Sequence, residues 1–212
     1  MTPGRFIALE GGEGSGKSTQ ARLLADRLQD AGVAVVMTRE PGGTPGAEAI
    51  RTLLLDPPGK GWGARAEALL FAAARADHVE RLIRPSLAAG KWVVCDRFID
   101  SSRAYQGGAG GLGDAAIVSL HGFGSEGLRP DLTLLLQVSA ASATTRLAQR
   151  DGGRSDAIGG RDAAYHAAVA SSFAEIAEIE PTTTVQIDAE ADPATVADRI
   201  WTVVAPLTEG SR

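Results

Sequence analysis

Short apolar and β-branched runs alternate along this chain with longer segments rich in Ala, Leu, Arg and Glu. Several of the short runs, such as Leu132 to Leu136, are almost continuously apolar, which is typical of strands covered on both faces. The alternation predicts an α/β fold in which helices flank a five-stranded parallel sheet. The predicted strands span residues 5–10, 33–38, 91–96, 131–138 and 183–188. The predicted helices span residues 17–31, 46–55, 64–89, 113–124, 139–150, 161–179 and 192–205.

Composition limits the class of protein. The chain has 212 residues and no internal repeat or low-complexity linker, so we expect a single domain over residues 1–212. Its formal net charge of −5 gives no overall attraction to nucleic acid or to a membrane surface. The single cysteine, Cys95, excludes an intramolecular disulfide and suits a reducing compartment. The sequence has no signal-peptide pattern and no apolar run long enough for a bilayer, so we expect a cytoplasmic protein without nucleic-acid or membrane partners.

Residues 11–18 fit the pattern G-x-x-x-x-G-K-[ST] at every fixed position. They follow a predicted strand and precede a predicted helix, which is the order that a phosphate-binding loop requires. The glycines let backbone N–H groups turn toward a phosphate, and the helix adds the positive end of its dipole. We therefore predict that the chain binds a nucleoside triphosphate, with Lys17 on the β- and γ-phosphates and the Ser18 hydroxyl on Mg²⁺. The candidate nucleotide-binding residues are Gly11, Gly12, Glu13, Gly14, Ser15, Gly16, Lys17, Ser18 and Thr19.

Charged residues end two further predicted strands. Asp96 and Arg97 follow the strand at 91–95, and Arg39 and Glu40 follow the second strand. Ligands of open α/β sheets bind along this carboxyl edge. If the 91–96 strand neighbours the first one, Asp96 would lie near the metal and Arg97 near the transferred phosphoryl group. A surface ion pair at 96–97 and a plain turn at 38–44 are the alternatives.

Phe71 and Arg75 stand four residues apart in a predicted helix and so share one face. An aromatic ring and a guanidinium on one face can stack on a flat base and bond to its carbonyl edge. Arg51 could point back toward a bound phosphate, and Tyr105 with Gln106 could complete the base pocket. An apolar core stripe that includes Phe71 and a solvated charge at Arg51 remain the alternatives.

Four arginines, at positions 146, 150, 154 and 161, bracket a segment containing Gly and Asp. A mobile lid that carries arginines over a triphosphate could exclude water and stabilise charge in the transition state. We predict such a lid at about residues 150–161, with a solvated charge cluster as the alternative. The glycine-rich segment 107–111 is also predicted to be a mobile loop.

Considered together, these motifs resemble the bacterial type of thymidylate kinase, a family of P-loop nucleoside monophosphate kinases. The order and spacing of the shared segments match the family from end to end. Arg-Glu-Pro-Gly-Gly-Thr at 39–44 is the most discriminating, because phosphate loops occur in many unrelated families. The segments that carry the resemblance are Phe6–Gly11 with the phosphate loop, Thr38–Thr44, Ile50–Leu55, Leu70–Arg75, Asp96–Phe98, Ser101–Gly107 and Pro130–Thr133.

The resemblance implies transfer of the γ-phosphoryl group of ATP to dTMP, which gives dTDP, with Mg²⁺ as cofactor and a helix-packed homodimer. Phe71 would stack on thymine, Arg75 would bond its carbonyl, and Tyr105 would exclude a 2′-hydroxyl. The implied catalytic residues are Lys17, Asp96, Arg97, Arg150 and Arg154, with Ser18 and Asp96 at the metal. The implied acceptor-binding residues are Glu13, Glu40, Arg51, Phe71, Arg75, Arg97, Ser102, Tyr105 and Gln106.

Two departures from the bacterial pattern accompany this resemblance. Gly110 stands where relatives usually carry arginine, and Ala168 and Ala170 flank Val169 where they often have Arg-Val-Arg. A kinase for another pyrimidine nucleotide or for a deoxynucleoside is a second interpretation, and a non-catalytic nucleotide-binding module is a third. A GTP-dependent switch is disfavoured, because reading guanine needs an Asn-Lys-x-Asp element and the chain contains no asparagine.

Overall fold

The computed structural model describes residues 4–151 and 156–208. Within these residues, five strands form one parallel sheet in the order β2-β3-β1-β4-β5. This confirms the predicted α/β fold with a five-stranded parallel sheet, and each predicted strand overlaps an observed one. The strands are β1 (Phe6–Glu10), β2 (Val35–Arg39), β3 (Trp92–Asp96), β4 (Leu132–Gln137) and β5 (Thr184–Asp188).

Helices cover both faces of the sheet. They are α1 (Lys17–Asp30), α2 (Pro45–Leu55), α3 (Ala64–His78), α4 (Arg84–Ala88), α5 (Ile99–Ser102), α6 (Asp114–Ser125), α7 (Ala140–Asp151), α8 (Ala163–Ile179) and α9 (Pro193–Thr208). Two π-helical segments, Val79–Ile83 and Arg103–Ala109, join α3 to α4 and extend α5. In the part of the chain that the structure describes, none of the helices combines the length and apolar character needed to cross a membrane.

The core divides into layers because successive strand residues point to opposite faces. Ile7 and Leu9 of β1 face one layer, where they pack with side chains of α1 and α9. Phe6 and Ala8 face the other layer, which includes Val79 and Ile117. Both layers are apolar at the centre of the sheet. The near-continuous apolar strands of the sequence are therefore explained by coverage on both faces.

The segment 64–89 was predicted as one α-helix, and the structure corrects this. The chain stays helical, but it widens into a π-helical segment at Val79–Ile83 before α4 begins at Arg84. Pro85 follows directly. A proline cannot donate a backbone hydrogen bond, and its ring crowds the carbonyl one turn earlier. A widened turn just before the proline accommodates both effects.

The glycine-rich segment 107–111 was predicted as a mobile loop, and most of it is helical instead. Residues Arg103–Ala109 form a π-helical segment that packs against α8. A Cβ atom on Gly108 would lie 2.0 Å from Ser172 Oγ, so glycine permits the close approach of the two elements. Only the last part of the segment leaves the helix, at Gly110.

Candidate active site

The phosphate-binding loop joins β1 to α1, as the motif predicts. Gly14 and Gly16 have φ angles of +74° and +93°, in the region that side chains rarely adopt. The Lys17 Nζ donates to Gly12 O at 2.6 Å and to Ser15 Oγ at 3.1 Å, so the lysine curls back across the loop. Burial, followed by the positive charge of Arg97, lowers the pKa of Lys17 to about 8. Lys17 is thus held inside the loop.

A hydroxyl and a carboxylate meet beside this loop. Ser18 Oγ donates a short hydrogen bond to Asp96 Oδ2. The other oxygen, Asp96 Oδ1, is buried and has no hydrogen-bond partner among the described residues. Mg²⁺ prefers oxygen ligands and keeps most of its shell for water and phosphate, so a hydroxyl plus one carboxylate with a spare oxygen fits it.

Arg97 lies beside the loop, because β3 pairs directly with β1 and brings Asp96 beside Leu9. Its Nη2 donates to Glu13 Oε1 at 2.6 Å, and its Nη1 donates to Gly11 O at 3.2 Å. The guanidinium carbon lies 5.1 Å from the centre of the Tyr105 ring. These contacts fix the guanidinium between the phosphate loop and the Tyr105 ring.

Arg75 and Phe71 line the same cavity as the phosphate loop. Arg75 Nε donates to Glu40 Oε2 at 2.7 Å, and its Nη2 donates to Ser102 Oγ at 2.9 Å and to Phe98 O at 3.1 Å. The arginine is buried, and Phe71 is half-buried one helical turn earlier. The two side chains therefore share a face, as predicted.

Glu40 is the link between this arginine and the fold. Its second oxygen, Oε1, lies 3.0 Å from His78 Nδ1, and His78 Nε2 lies 2.8 Å from Thr38 Oγ1. All of these side chains are buried. Because both oxygens of Glu40 serve Arg75 and His78, the carboxylate orients the arginine more directly than it can bind a substrate.

The remaining residues that were predicted to bind the phosphoryl acceptor are held by polar contacts. Arg51 Nη1 donates to Pro41 O at 2.7 Å, so Arg51 is held toward the turn after β2 and is not a freely solvated helix charge. Gln106 Nε2 donates to Glu67 Oε1 at 2.9 Å. Tyr105 OH lies 3.4 Å from Glu13 Oε1, which connects the acceptor side to the phosphate loop.

These groups line one cavity of about 690 Å³. Nearly all of the predicted site residues line this cavity. Gly11 and Gly12 are not in the lining, but they belong to the same loop, directly before Glu13. Arg154 lies outside the described residues, as does the side chain of Arg150. The predicted site residues that line the cavity are Glu13, Gly14, Ser15, Gly16, Lys17, Ser18, Thr19, Glu40, Arg51, Phe71, Arg75, Asp96, Arg97, Ser102, Tyr105 and Gln106.

Sequence reasoning missed the loop that follows β5, which lines the cavity beyond the phosphate loop. Arg146 Nη2 donates to Ala189 O at 2.8 Å and to Ala191 O at 3.3 Å. Gln20 Nε2 donates to Pro193 O at 2.9 Å. Arg146 is therefore not part of a solvated cluster, since it ties α7 to this loop. The only sequence signal was the Asp-Pro start of α9.

A second missed contributor is Ile158, which follows the undescribed part of the predicted lid. It lines the cavity and belongs to the apolar cluster that includes Leu55 and Phe71. Ala157 N donates to Leu55 O at 3.3 Å, and Arg161 Nη2 donates to Glu67 Oε2. Residues 156–161 thus pack directly on the acceptor side of the cavity.

The two departures from the bacterial pattern have different structural settings. A Cβ atom on Gly110 would lie 2.7 Å from Gln106 O, so a larger residue there would require the backbone to shift. Ala168 and Ala170 are exposed on α8. The first departure therefore follows from local packing, whereas the structure gives no packing reason for the second.

Comparison with known proteins gives a consistent result. The sequence model of the family described as thymidylate kinase matches residues 9–200. A thymidylate kinase of Rhizorhabdus wittichii is 58% identical over 97% of this chain and 99% of its own length. One from Afipia carboxidovorans is 50% identical over 93% of this chain and 87% of its own. The crystal structure of thymidylate kinase from Ehrlichia chaffeensis aligns with a TM-score of 0.77 at 34% identity, covering 95% of this chain and 100% of that one.

Proposed function

This chain belongs to the thymidylate kinase family, and we propose from that premise how its cavity transfers the γ-phosphoryl group of ATP to dTMP to form dTDP. One observation carries the proposal. One cavity is lined by the phosphate loop, by the Phe71 and Arg75 pair, and by Arg97, which donates to Gly11 O and Glu13 Oε1 in the loop. Two phosphorylated substrates can therefore meet with their phosphates adjacent, which is the geometry of an in-line transfer.

The donor nucleotide is assigned to the phosphate loop and the loop after β5. Backbone N–H groups of residues 14–19 and the Lys17 ammonium would hold the β- and γ-phosphates. The base would lie near Arg146 and the Ala189–Pro193 segment, which line the cavity beyond the loop. Ser18 and Asp96 would hold Mg²⁺, which when bound neutralises charge on the transferred phosphoryl group.

The acceptor nucleotide is assigned to the opposite side. Phe71 offers a ring for stacking on thymine, and Arg75 offers a donor to a thymine carbonyl. Arg51 would take the acceptor phosphate, while Arg97 would bridge the two phosphates. Tyr105, held near Glu13, would pack against the deoxyribose. The work of the protein is to bring the phosphates into line and to offset their repulsion.

Product analysis tests this function directly. Purified enzyme with ATP and Mg²⁺ should convert dTMP to dTDP, and the same assay with dUMP, dCMP and thymidine measures the preference for base and for phosphate. We expect dTMP to give the highest kcat/KM. A higher value for dCMP or thymidine would replace the acceptor assignment by the second interpretation, a kinase for another pyrimidine. Nucleotide binding without any turnover would support the third, a non-catalytic module.

The metal assignment has its own test. We expect Asp96→Asn to raise the Mg²⁺ concentration needed for half-maximal activity, because it removes the only carboxylate charge that we assign to the metal. Asp26→Asn, an exposed carboxylate change on α1, is the matched control. An unchanged Mg²⁺ requirement in Asp96→Asn would contradict the assignment.

We also propose that the protein works as a homodimer in the cytoplasm. Helix α3 packs against both α2 and α6, each of the three carries exposed apolar or small residues, and we propose that these residues form one outer face. Phe123 on α6 is 93% exposed and Leu69 on α3 is 55% exposed. Such a face suits a second copy of the same chain. The exposed residues of the face are Gly46, Ala49, Leu53, Leu69, Ala73, Val118, Gly122 and Phe123.

Sedimentation measures this association. We expect the wild-type chain to sediment as a dimer and Phe123→Asp to sediment as a monomer, because a charge would be buried at the interface. Ile179→Asp is the matched control, since Ile179 is 71% exposed on α8, away from this face. A monomeric wild type, or equal dissociation by both substitutions, would contradict the proposal. The cytoplasmic location is supported by the free, buried Cys95.

A further inference from the structure

Glu10 is a buried carboxylate to which the proposed mechanism assigns no role. It is the last residue of β1, it is 1% exposed, and it is not part of the cavity lining. Its Oε1 accepts hydrogen bonds from Phe98 N at 2.7 Å and from Ser101 N at 3.1 Å. Its Oε2 accepts one from Ser101 Oγ at 2.6 Å. Both oxygens therefore serve the turn that follows β3.

That turn carries Arg97 in an unusual backbone conformation. Arg97 has a φ angle of 72°, which is uncommon for a residue with a side chain and costs about 1 kcal/mol or more. Such a conformation persists only where the surroundings hold it. Arg97 N donates to Leu9 O at 2.9 Å on one side, and Glu10 accepts from the next backbone N–H on the other. Residues 9 and 10 of β1 thus clamp the backbone of Arg97.

A second connection runs through the side chain of Ser101. The Ser101 hydroxyl donates a hydrogen bond to Glu10 Oε2, so the lone pairs of Ser101 Oγ are free to accept from Arg97 Nη1, which lies 3.0 Å away. Glu10 thereby sets the direction of a hydroxyl that accepts from the guanidinium. Burial, followed by the charge of Asp100, raises the pKa of Glu10 to about 7. Keeping a carboxyl group in so costly a place is consistent with a role beyond packing.

We propose that Glu10 is a positioning residue for phosphoryl transfer, which holds the 97–101 turn and thereby aims the guanidinium of Arg97 at the two phosphates. This inference rests on the proposed function of the cavity. Glu10 itself touches neither nucleotide. Its loss should therefore act on the chemical step through Arg97 and should leave the binding of each substrate nearly unchanged.

Glu10→Gln tests the proposal with almost no change in size. The new amide nitrogen would replace an acceptor by a donor and would compete with Arg97 for the lone pairs of Ser101 Oγ. We expect kcat to fall roughly 10- to 100-fold, since small misplacements of a catalytic group cost this much. The KM values for ATP and dTMP should stay within about threefold of wild type.

The Arg97→Ala background separates positioning from a general structural effect. If Glu10 acts through Arg97, the double variant Glu10→Gln/Arg97→Ala should turn over within about twofold of Arg97→Ala alone. A merely structural role would lower activity by the same factor in both backgrounds. Ser101→Ala is a parallel variant, since it removes the hydroxyl that joins Glu10 to Arg97, and Ser101 is only half-buried. The activity that Ser101→Ala loses should likewise be lost only where Arg97 is present.

Each outcome bears on the proposal. A kcat for Glu10→Gln within twofold of wild type, or an equal loss with and without Arg97, would overturn it. If Glu10→Gln does not fold, the cycle between Ser101→Ala and Arg97→Ala decides in the same way. Wild-type enzyme that fails to convert dTMP would instead refute the proposed function, so the two failures are distinguishable.

Discussion

Replacing Glu40 probes how the acceptor side of the cavity is organised before substrate binds. The carboxylate accepts from Arg75 Nε at 2.7 Å and faces His78 Nδ1 at 3.0 Å, and His78 in turn contacts Thr38. All four side chains are buried. A substitution at Glu40 therefore leaves a guanidinium without its counter-charge in a place that water reaches poorly.

The expected loss of stability depends on what replaces the carboxylate. Glu40→Ala removes one partner of a buried ion pair, which costs about 3–5 kcal/mol. In Glu40→Gln the amide oxygen can still accept from Arg75 Nε, while the amide nitrogen donates to His78 Nδ1. The His78 ring can then take the other tautomer, in which Nε2 donates to Thr38 Oγ1. Only the charge assistance is then lost, about 1–2 kcal/mol. For a chain of this length each kcal/mol lowers Tm by about 2–4 °C.

Urea unfolding and steady-state kinetics measure the two consequences. We expect Glu40→Gln to raise KM for dTMP roughly tenfold, corresponding to about 1.4 kcal/mol, because a neutral acceptor holds the Arg75 guanidinium less firmly than the carboxylate does. KM for ATP should not change. Glu178→Gln, an exposed change on α8, is the control. The reasoning is refuted if Glu40→Ala is no more destabilising than Glu40→Gln, or if KM for ATP rises as much as KM for dTMP.

Three further changes test other parts of the molecule. Lys17→Met should lower turnover at least about a hundredfold, roughly 3 kcal/mol, and near-normal turnover would remove the lysine from the mechanism. Ile158→Ala should raise KM for dTMP roughly tenfold and leave KM for ATP unchanged, because it removes apolar surface beside the proposed base site; equal KM effects would contradict this. His121 is buried with Nε2 2.6 Å from Leu128 O, and burial, followed by the charge of Arg75, lowers its pKa from 6.5 to about 4. Between about pH 6.5 and pH 4 the folded chain therefore binds fewer protons than the unfolded chain. The free energy of unfolding falls as the pH drops through this range, by at most about 3 kcal/mol. His121→Gln keeps the donor to Leu128 and should flatten this decline in urea unfolding, whereas an identical decline would exclude His121 as its cause.

Sequence patterns predicted the sheet and the phosphate loop because both are encoded locally. The apolar runs fall on the five strands, and the loop motif lies between β1 and α1. The helical segment at 99–109 was missed because its glycines look like a loop until their packing is known. Gly108 approaches Ser172, more than sixty positions away, and no local propensity encodes that contact. The single domain over residues 1–212 stays a prediction.

The candidate site was predicted where its residues end strands or share a helical face, as Asp96, Arg97, Phe71 and Arg75 do. Residues that act through distant partners were missed. His78 reaches Thr38 across forty positions, and nothing near His78 in the sequence signals that contact. Such residues are invisible to spacing arguments, because their role is defined by the tertiary neighbour and not by the motif.

The same contacts explain how an acidic chain can bring two phosphorylated substrates together. Although the net charge is −5, the cations of the cavity are held in place by acceptors from the protein itself. Arg97 donates to Glu13, Arg75 to Glu40, and Lys17 to a carbonyl of its own loop. Donors that are fixed in advance need little rearrangement when charge develops on a phosphoryl group, and this is where electrostatic catalysis gains most. The paired carboxylates thus serve orientation, and the local field at the phosphates depends on which charges are buried together more than on the total charge of the chain.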